Sequence, residues 1–208
     1  LANKEKGVGF DQLLYIKNKK HYEVLVFNSD GSEADNCING LRCIAFLYAL
    51  NNEAIYIKDR KFVVRCTKSG AEVSGNLPTV NKNNNYYVIN FGNNHIAREY
   101  PDIELINLEN EYVKLKDSKE FEGIKNFNFS IYQKSENNIA IRTYENGAGE
   151  TLSCGSATIS VACALMEDTN ENELLFSSRG GKTIVLKDNQ SIKSQANAVI
   201  LEQGFLNG

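Results

Sequence analysis

The sequence predicts an α/β (α+β) protein made of two pseudo-symmetric domains, each a curved, mostly antiparallel sheet or barrel wrapped around a central helix. Three observations carry this expectation. Short runs rich in Val, Ile, Tyr and Phe recur along the 208 residues, separated by turn signals such as Asp30-Gly31, Asn137-Asn138, Gly180-Gly181 and Asp188-Asn189. Two segments, NGLRCIAFLYALN from Asn39 and SATISVACALME from Ser156, place apolar residues at helical spacing on nearly every face. Lastly, DGSEADNCINGLRC (30–43) and GAGETLSCGSATIS (147–160) share one order: a glutamate four residues before a cysteine, then small or polar residues leading into an apolar run. Aligning Cys37 with Cys154 also aligns Glu33 with Glu150, Ile44 with Val161 and Ala45 with Ala162.

The predicted strands, in order, are QLLYI from Gln12, YEVLVF from Tyr22, AIYI from Ala54, FVVR from Phe62, YYVIN from Tyr86, FNFSIY from Phe127, IAIRTY from Ile139, ELLF from Glu173, TIVL from Thr183 and AVILEQ from Ala198. One predicted helix falls among the first four strands and the other among the last six. A helix that is apolar all round must be wrapped, and each has strands before and after it to do so. Pro78 and an Asn/Lys run break the strand pattern over roughly residues 76–85. The expected division is therefore an N-terminal module over 1–79, joined by a C-terminal strand within 196–208, and a C-terminal module over 80–195.

Composition excludes several function classes. A net charge of −3 with lysines and acids interspersed leaves no basic stripe to neutralise phosphates, so nucleic acid is not an expected partner. No apolar run approaches the ~20 residues that span a bilayer, and LANKEKGVGF lacks the order of a secretory signal, so the expectation is a cytoplasmic protein with no membrane partner. Five cysteines (Cys37, Cys43, Cys66, Cys154, Cys163) form no CxxC pair, which argues against a disulfide framework and a zinc knuckle. With only His21 and His95 available and no HExxH pattern, no metal site is expected.

A free cysteine is most often a small buried hydrophobe, and that reading suits Cys43, Cys66 and Cys163. Cys37 and Cys154 differ because each stands where a loop enters a helix. The first helical turn has unpaired N–H groups and a partial positive charge, which favour both a thiolate and a bound carboxylate. Gly155-Ser156 and Asn39-Gly40 leave the backbone open to close approach. If the two helix starts face each other, a carboxylate between their amides puts its α-carbon between two sulfurs. One thiolate removes the α-proton while the opposite thiol protonates the other face, an inversion that needs no cofactor. The amides would stabilise the developing carbanion.

Four stretches, GVGFDQLL (7–14), FNSDGSEADNCINGLRC (27–43), GNNH (92–95) and YENGAGETLSCGS (144–156), resemble in that order the motifs of the diaminopimelate epimerases. The resemblance covers most of the chain. It implies two α/β domains with the site in the cleft between them, and a pyridoxal-independent conversion of LL-diaminopimelate to the meso isomer by a cysteine pair. It assigns Cys37 and Cys154 as the acid/base residues, with His95 and Glu145 beside the reacting centre. Backbone amides of Ile38, Asn39, Gly155 and Ser156 match the cradle for the α-carboxylate. Gln12, Asn28, Asn93 and Asn126 match polar residues lining the substrate site, several around its distal end. A homodimer is also implied. Glu33 and Glu150 read instead as carboxylates favouring the helix dipoles.

The sequence departs from the family in three places: Ile38 stands where glycine follows the first cysteine, Asn146 where an arginine meets the distal carboxylate, and Ala157 where a glycine is frequent. The arginine contact is a charge-assisted pair of ~1.5–3 kcal/mol, so Asn146 keeps open a racemase for another amino acid. A non-catalytic relative with the same fold is the third reading. The family also begins with a strand-forming segment containing an HGxGNDF-like motif, whereas this sequence begins at LANKEKGVGFDQLL. The expectation is that an N-terminally extended chain is more stable or more active.

Overall fold

The computed structural model describes residues 2–3, 5–18 and 21–204. Fourteen strands and three α-helices are found among them. In chain order these are β1 (Gln12–Asn18), β2 (Glu23–Asn28), α1 (Ile38–Leu47), β3 (Asn51–Ile57), β4 (Arg60–Cys66), β5 (Gly70–Asn76), β6 (Thr79–Asn83), β7 (Tyr86–Asn90), β8 (Asn94–Glu99), α2 (Leu108–Lys116), β9 (Phe127–Ser135), β10 (Asn138–Glu145), β11 (Gly149–Thr151), α3 (Gly155–Asp168), β12 (Glu173–Ser178), β13 (Gly181–Lys187) and β14 (Ser191–Asn197). A 3-10 turn at Lys119–Phe121 follows α2. The fold is α+β and dominated by its sheet. Among the described residues no helix is long and apolar enough to cross a membrane.

The strands form one continuous sheet in the order β1-β2-β3-β4-β5-β14-β13-β12-β10-β9-β8-β7-β6, with β11 paired to β10. Most neighbours are antiparallel, as tight turns between successive strands require. The parallel pairs are β2 with β3, β10 with β12 and β8 with β9. Parallel neighbours need a long crossover, and α1, α3 and α2 respectively supply it. Two copies of one order result: β1-β2-α1-β3-β4-β5 and β9-β10-α3-β12-β13-β14. They meet where β5 pairs antiparallel with β14, from Gly70↔Asn197 to Asn76↔Ser191.

The strand that reaches β5 is thus Ser191–Asn197, not the expected run within 196–208. Residues 198–204 have no regular structure, and 205–208 lie outside the described residues. The physical reason is occupancy: β14 already takes the β5 ladder, so of the apolar AVIL run Ala198 N continues it by donating to Ser69 O at 3.2 Å, and Val199 and Leu201 stay exposed. The break expected over 76–85 holds a further strand, β6, which pairs with β7 across a turn where Asn84 has φ +51°.

Helix α3 is buried from Gly155 to Met166 and packs against β13, β7 and β14. Its Ala, Ser and Gly residues let strands approach closely on all sides. Helix α1 packs on β5 and β4 and touches α3. Both helices belong to one hydrophobic core, which runs from Val24 and Val26 through Leu41 and Ile159 to Ile192. A second core, with Phe127, Phe129 and Ile131 at its centre, lies under α2 through Leu108, Tyr112 and Leu115. That helix is short and polar outside, capped by Asn107 Oδ1 accepting from Asn110 N at 3.0 Å.

Candidate active site

Cys37 is the N-cap of α1 and Cys154 the N-cap of α3. The first residues of the two helices touch. A Cβ added at Gly155 would lie 2.8 Å from Ile38 Cβ and 2.8 Å from Asn39 Oδ1. Glycine is therefore required at the start of α3 because a β-branched residue faces it, and Ile38 fills the space that Gly155 leaves. Across the same contact, Asn39 Nδ2 donates to Ser153 O at 2.9 Å. The two junctions thus meet head to head.

Both cysteines line one small chamber of about 40 Å³, together with Gln12, Asn36, Ile38, Asn39, Glu145, Ser153, Gly155 and Ser156. This volume suits a carboxylate and the carbon it is attached to, little more. It adjoins a cleft of about 350 Å³, which shares Gln12, Cys37, Asn39, Glu145 and Ser153 and adds Asp11, Asn28, Cys43 and Asn146. Gln12 Nε2 donates to Asn28 Oδ1 at 3.0 Å, orienting two amides on the cleft wall.

The two thiols sit in different fields. Cys37 Sγ accepts from Gly40 N at 3.2 Å, and burial still pushes its pKa up to about 12. Cys154 Sγ lies 3.4 Å from Ser156 Oγ; burial, then the nearby Glu145 carboxylate, raises its pKa well above the usual thiol range. Glu145 itself is held by Thr151 Oγ1, which donates to Oε1, and by a hydrogen bond with Cys154. Burial raises its pKa above the usual carboxylate value. At rest both sulfurs carry their protons, with one carboxylate acting on both.

Of the residues expected at the site, Gln12, Asn28, Cys37, Ile38, Asn39, Glu145, Asn146, Cys154, Gly155 and Ser156 line the chamber or the cleft. Asn93, His95 and Asn126 do not. His95, on β8, is 1% exposed, with Nε2 3.0 Å from Asn93 Oδ1 and Nδ1 without a partner. Burial depresses its pKa to about 3, so the ring is neutral. Its loop is tied to the first junction because Asn36 Nδ2 donates to Phe91 O at 3.3 Å. Asn126 adopts φ +52° ahead of β9 and faces a separate cavity beneath α2, whose rim includes Asn146. The Asn146 side chain is engaged there, with Oδ1 accepting from Tyr112 Oη at 3.1 Å.

Glu33 and Glu150 do not serve the helix dipoles, since neither helix has an acid in its first turn. Glu150 takes a two-pronged contact from Arg142, at 2.8 and 2.9 Å, while Glu33 pairs loosely with Lys58 at 3.9 Å. Sequence reasoning missed Asn36, Ser153 and Thr151, whose residue types are too common to stand out. It also missed Arg42, which did carry a signal as the one charged residue within Ile38–Leu47.

Residues 87–201 match the diaminopimelate epimerase family. The diaminopimelate epimerase of Flavobacterium psychrophilum is 30% identical over 195 residues, covering 88% of this chain and 76% of the relative. That of Buchnera aphidicola subsp. Baizongia pistaciae is 32% identical over 208 residues, covering 84% and 72%. Among solved structures, a PhzC/PhzF-type phenazine-biosynthesis protein from Clostridium difficile superposes with a TM-score of 0.71 at 16% identity, covering 95% of this chain and 83% of that one. A predicted epimerase from Pseudomonas aeruginosa gives 0.60 at 12% identity, covering 92% and 84%. At such identities these two speak for the fold, while the sequence relatives speak for the lineage. The chain belongs to the diaminopimelate epimerase family, a family of isomerases.

Proposed function

We propose that this protein inverts the α-carbon of LL-diaminopimelate to give the meso isomer, with Cys37 and Cys154 moving protons on opposite faces. One observation carries the reading: two cysteines from separate halves of the sheet, each at the start of a buried helix, line one carboxylate-sized chamber. The α-carboxylate would be held by the N–H groups of Ile38, Asn39, Gly155 and Ser156, favoured by both helix dipoles. Its side chain would extend into the 350 Å³ cleft past Gln12, Asn28 and Asn146.

A proton must leave one thiol before either sulfur can act as base. Glu145 is the carboxylate in place for Cys154, to which it is hydrogen-bonded. A Cys154 thiolate then takes the α-proton, and Cys37 delivers its own proton to the opposite face. The reverse reaction exchanges these roles. Negative charge developing on the carboxylate side of the carbanion falls on the fixed amides. His95 supports this indirectly, as a neutral ring behind the Asn36–Phe91 link. We further propose that the halves meeting at β5 and β14 act as the two catalytic modules, and that the protein is a homodimer, testable by light scattering.

The reading is tested by incubating the protein with LL-diaminopimelate in deuterated water. One α-deuterium per inverted centre is expected. Absence of deuterium from this and every other amino acid offered would refute it. A second reading, a racemase for an amino acid without a distal carboxylate, is favoured by the cleft wall. Among the described residues its charged side chains are Asp11 and Glu145, no cation lines it, and the Asn146 amide is engaged by Tyr112. Faster incorporation into lysine or ornithine than into diaminopimelate would select it.

A further inference from the structure

Arg42 is 3% exposed, yet no carboxylate among the described residues takes its charge. Its guanidinium instead reaches two neutral oxygens. Nη1 donates to Asn39 Oδ1 and Nη2 to Ser194 Oγ, both at 2.6 Å, and Nε has no partner. Burying a guanidinium without a counter-ion is costly, and a helix that only needed packing would carry an apolar residue there. The contacts show what the charge is used for. Ser194 lies on β14, the strand that joins the two halves, while Asn39 reaches on to Ser153, the residue before Cys154. One hydrogen-bonded chain, Ser194–Arg42–Asn39–Ser153, therefore runs from the sheet junction through the first cysteine-bearing helix to the second.

We propose that Arg42 is a positioning residue for the inversion: it fixes the Asn39 side chain that bridges the two cysteine junctions, and it sets an unneutralised positive charge beside Cys37. The inference rests on the two-cysteine reading above. Four groups act on a Cys37 thiolate: the Gly40 N–H and the Arg42 guanidinium, both on α1, favour it, while Glu145 from β10 and Cys43 from α1 oppose it. Of the two that favour it, Arg42 is the one that carries a full charge. Because its fork is planar, it can hold Asn39 and Ser194 together while keeping its charge, which a lysine ammonium on a single stem does poorly.

The test combines α-deuterium exchange with iodoacetamide labelling of the substrate-free protein, each cysteine resolved by peptide mass spectrometry. Cys66, on β4, serves as the internal reference. Arg42→Met is expected to lower labelling of Cys37 at pH 9, because the thiolate fraction falls when the nearby positive charge is removed, with Cys66 unchanged. A merely structural arginine would do the opposite, since a loosened helix exposes its thiols. Arg42→Lys should recover most of the labelling but leave kcat/KM for exchange depressed, because the double anchor is not rebuilt. Ser194→Ala should raise KM for exchange and leave Cys37 labelling unchanged. The proposal is overturned if Cys37 labelling is unchanged or rises in Arg42→Met. Should that variant not fold, native exchange kinetics in both Arg42→Lys and Ser194→Ala overturn it equally. Absence of exchange in the unaltered protein would reject the epimerase reading, and the labelling arm would still decide the charge beside Cys37.

Discussion

The two cysteine junctions have the same topology and different chemistry. Each follows a strand of a β-β-α-β-β-β unit and caps the helix that crosses to a parallel neighbour. At the first, a backbone N–H and a buried arginine face the sulfur. At the second, a carboxylate and a serine hydroxyl do. The helices differ in step: α1 leaves Cys43 and Leu47 exposed, while α3 is wrapped for most of its length. Even the residues that touch are complementary rather than alike, with Ile38 filling the room left by Gly155. Repetition gave the pair its geometry, and divergence at neighbouring positions gave the first sulfur an arginine to set against the Glu145 carboxylate that acts on both. A proton-exchanging pair needs that inequality, because its two members must hold different protonation states at the same pH.

The most severe way to break the comparison is to remove either sulfur. Cys37→Ala and Cys154→Ala should each lower inversion by roughly 10³-fold or more, since general acid and base terms run to 10²–10⁴ and inversion needs both. Circular dichroism should show both variants folded. Unequal losses of wash-out exchange without inversion would reveal which sulfur acts alone.

Next in size is the contact between helix starts. Gly155→Ala brings a methyl to 2.8 Å from Ile38 Cβ, so urea denaturation should show a loss of about 1–3 kcal/mol. Adding Ile38→Gly should return a large part of it, giving a coupling energy that separates complementary packing from simple crowding. Additive losses would contradict the fit described above.

A pH series sharpens the difference on the first junction's side. His95 is neutral when folded because burial lowers its pKa from 6.5 to about 3. As pH falls below 6.5 the unfolded chain takes up a proton that the folded chain refuses, so stability is lost progressively down to about pH 3. The loss between pH 7 and pH 5 should be about 2 kcal/mol. His95→Asn should remove this slope from denaturation curves measured at the two pH values. The smallest effect expected is at Asn146. Asn146→Arg should lower KM for diaminopimelate by roughly 3- to 10-fold, the gain from one charge-assisted contact after the loss of the Tyr112 hydrogen bond. An unchanged KM would place the distal carboxylate elsewhere.

How much of this was visible in the residues depends on what each position has to bury. The helices α1 and α3 were legible because their apolar residues fall on nearly every face, and the cysteines because they break that pattern at its start. Strands β5 and β14 were not. GAEVSGN and SIKSQAN look like loops, since β5 is buried through small residues and β14 buries Ser194 to meet a guanidinium. The opposite error came from AVILEQ, whose apolarity reads as a strand although β14 has already taken the β5 ladder it was expected to fill. Helix α2 buries Leu108, Tyr112 and Leu115 at helical spacing, a stripe too narrow to stand out in so short and polar a segment. At the site, ten of the thirteen expected residues are on the walls, because the motifs around them fix local backbone. The placement of His95 and Asn126 depends on strand register, which a single sequence does not encode locally.

The seam between β5 and β14 has a consequence for how the molecule comes into being. Residues 70–76 leave the ribosome long before residues 191–197, which they need as a neighbour. Through most of translation, then, the fifth strand presents a bare ladder to other nascent chains. Its polar row and its glycines make that interval less hazardous than a Val/Ile edge would. Only when the late strand docks does Arg42 exchange water for Ser194, so the newborn polypeptide acquires its reaction chamber in the same event that finishes its sheet.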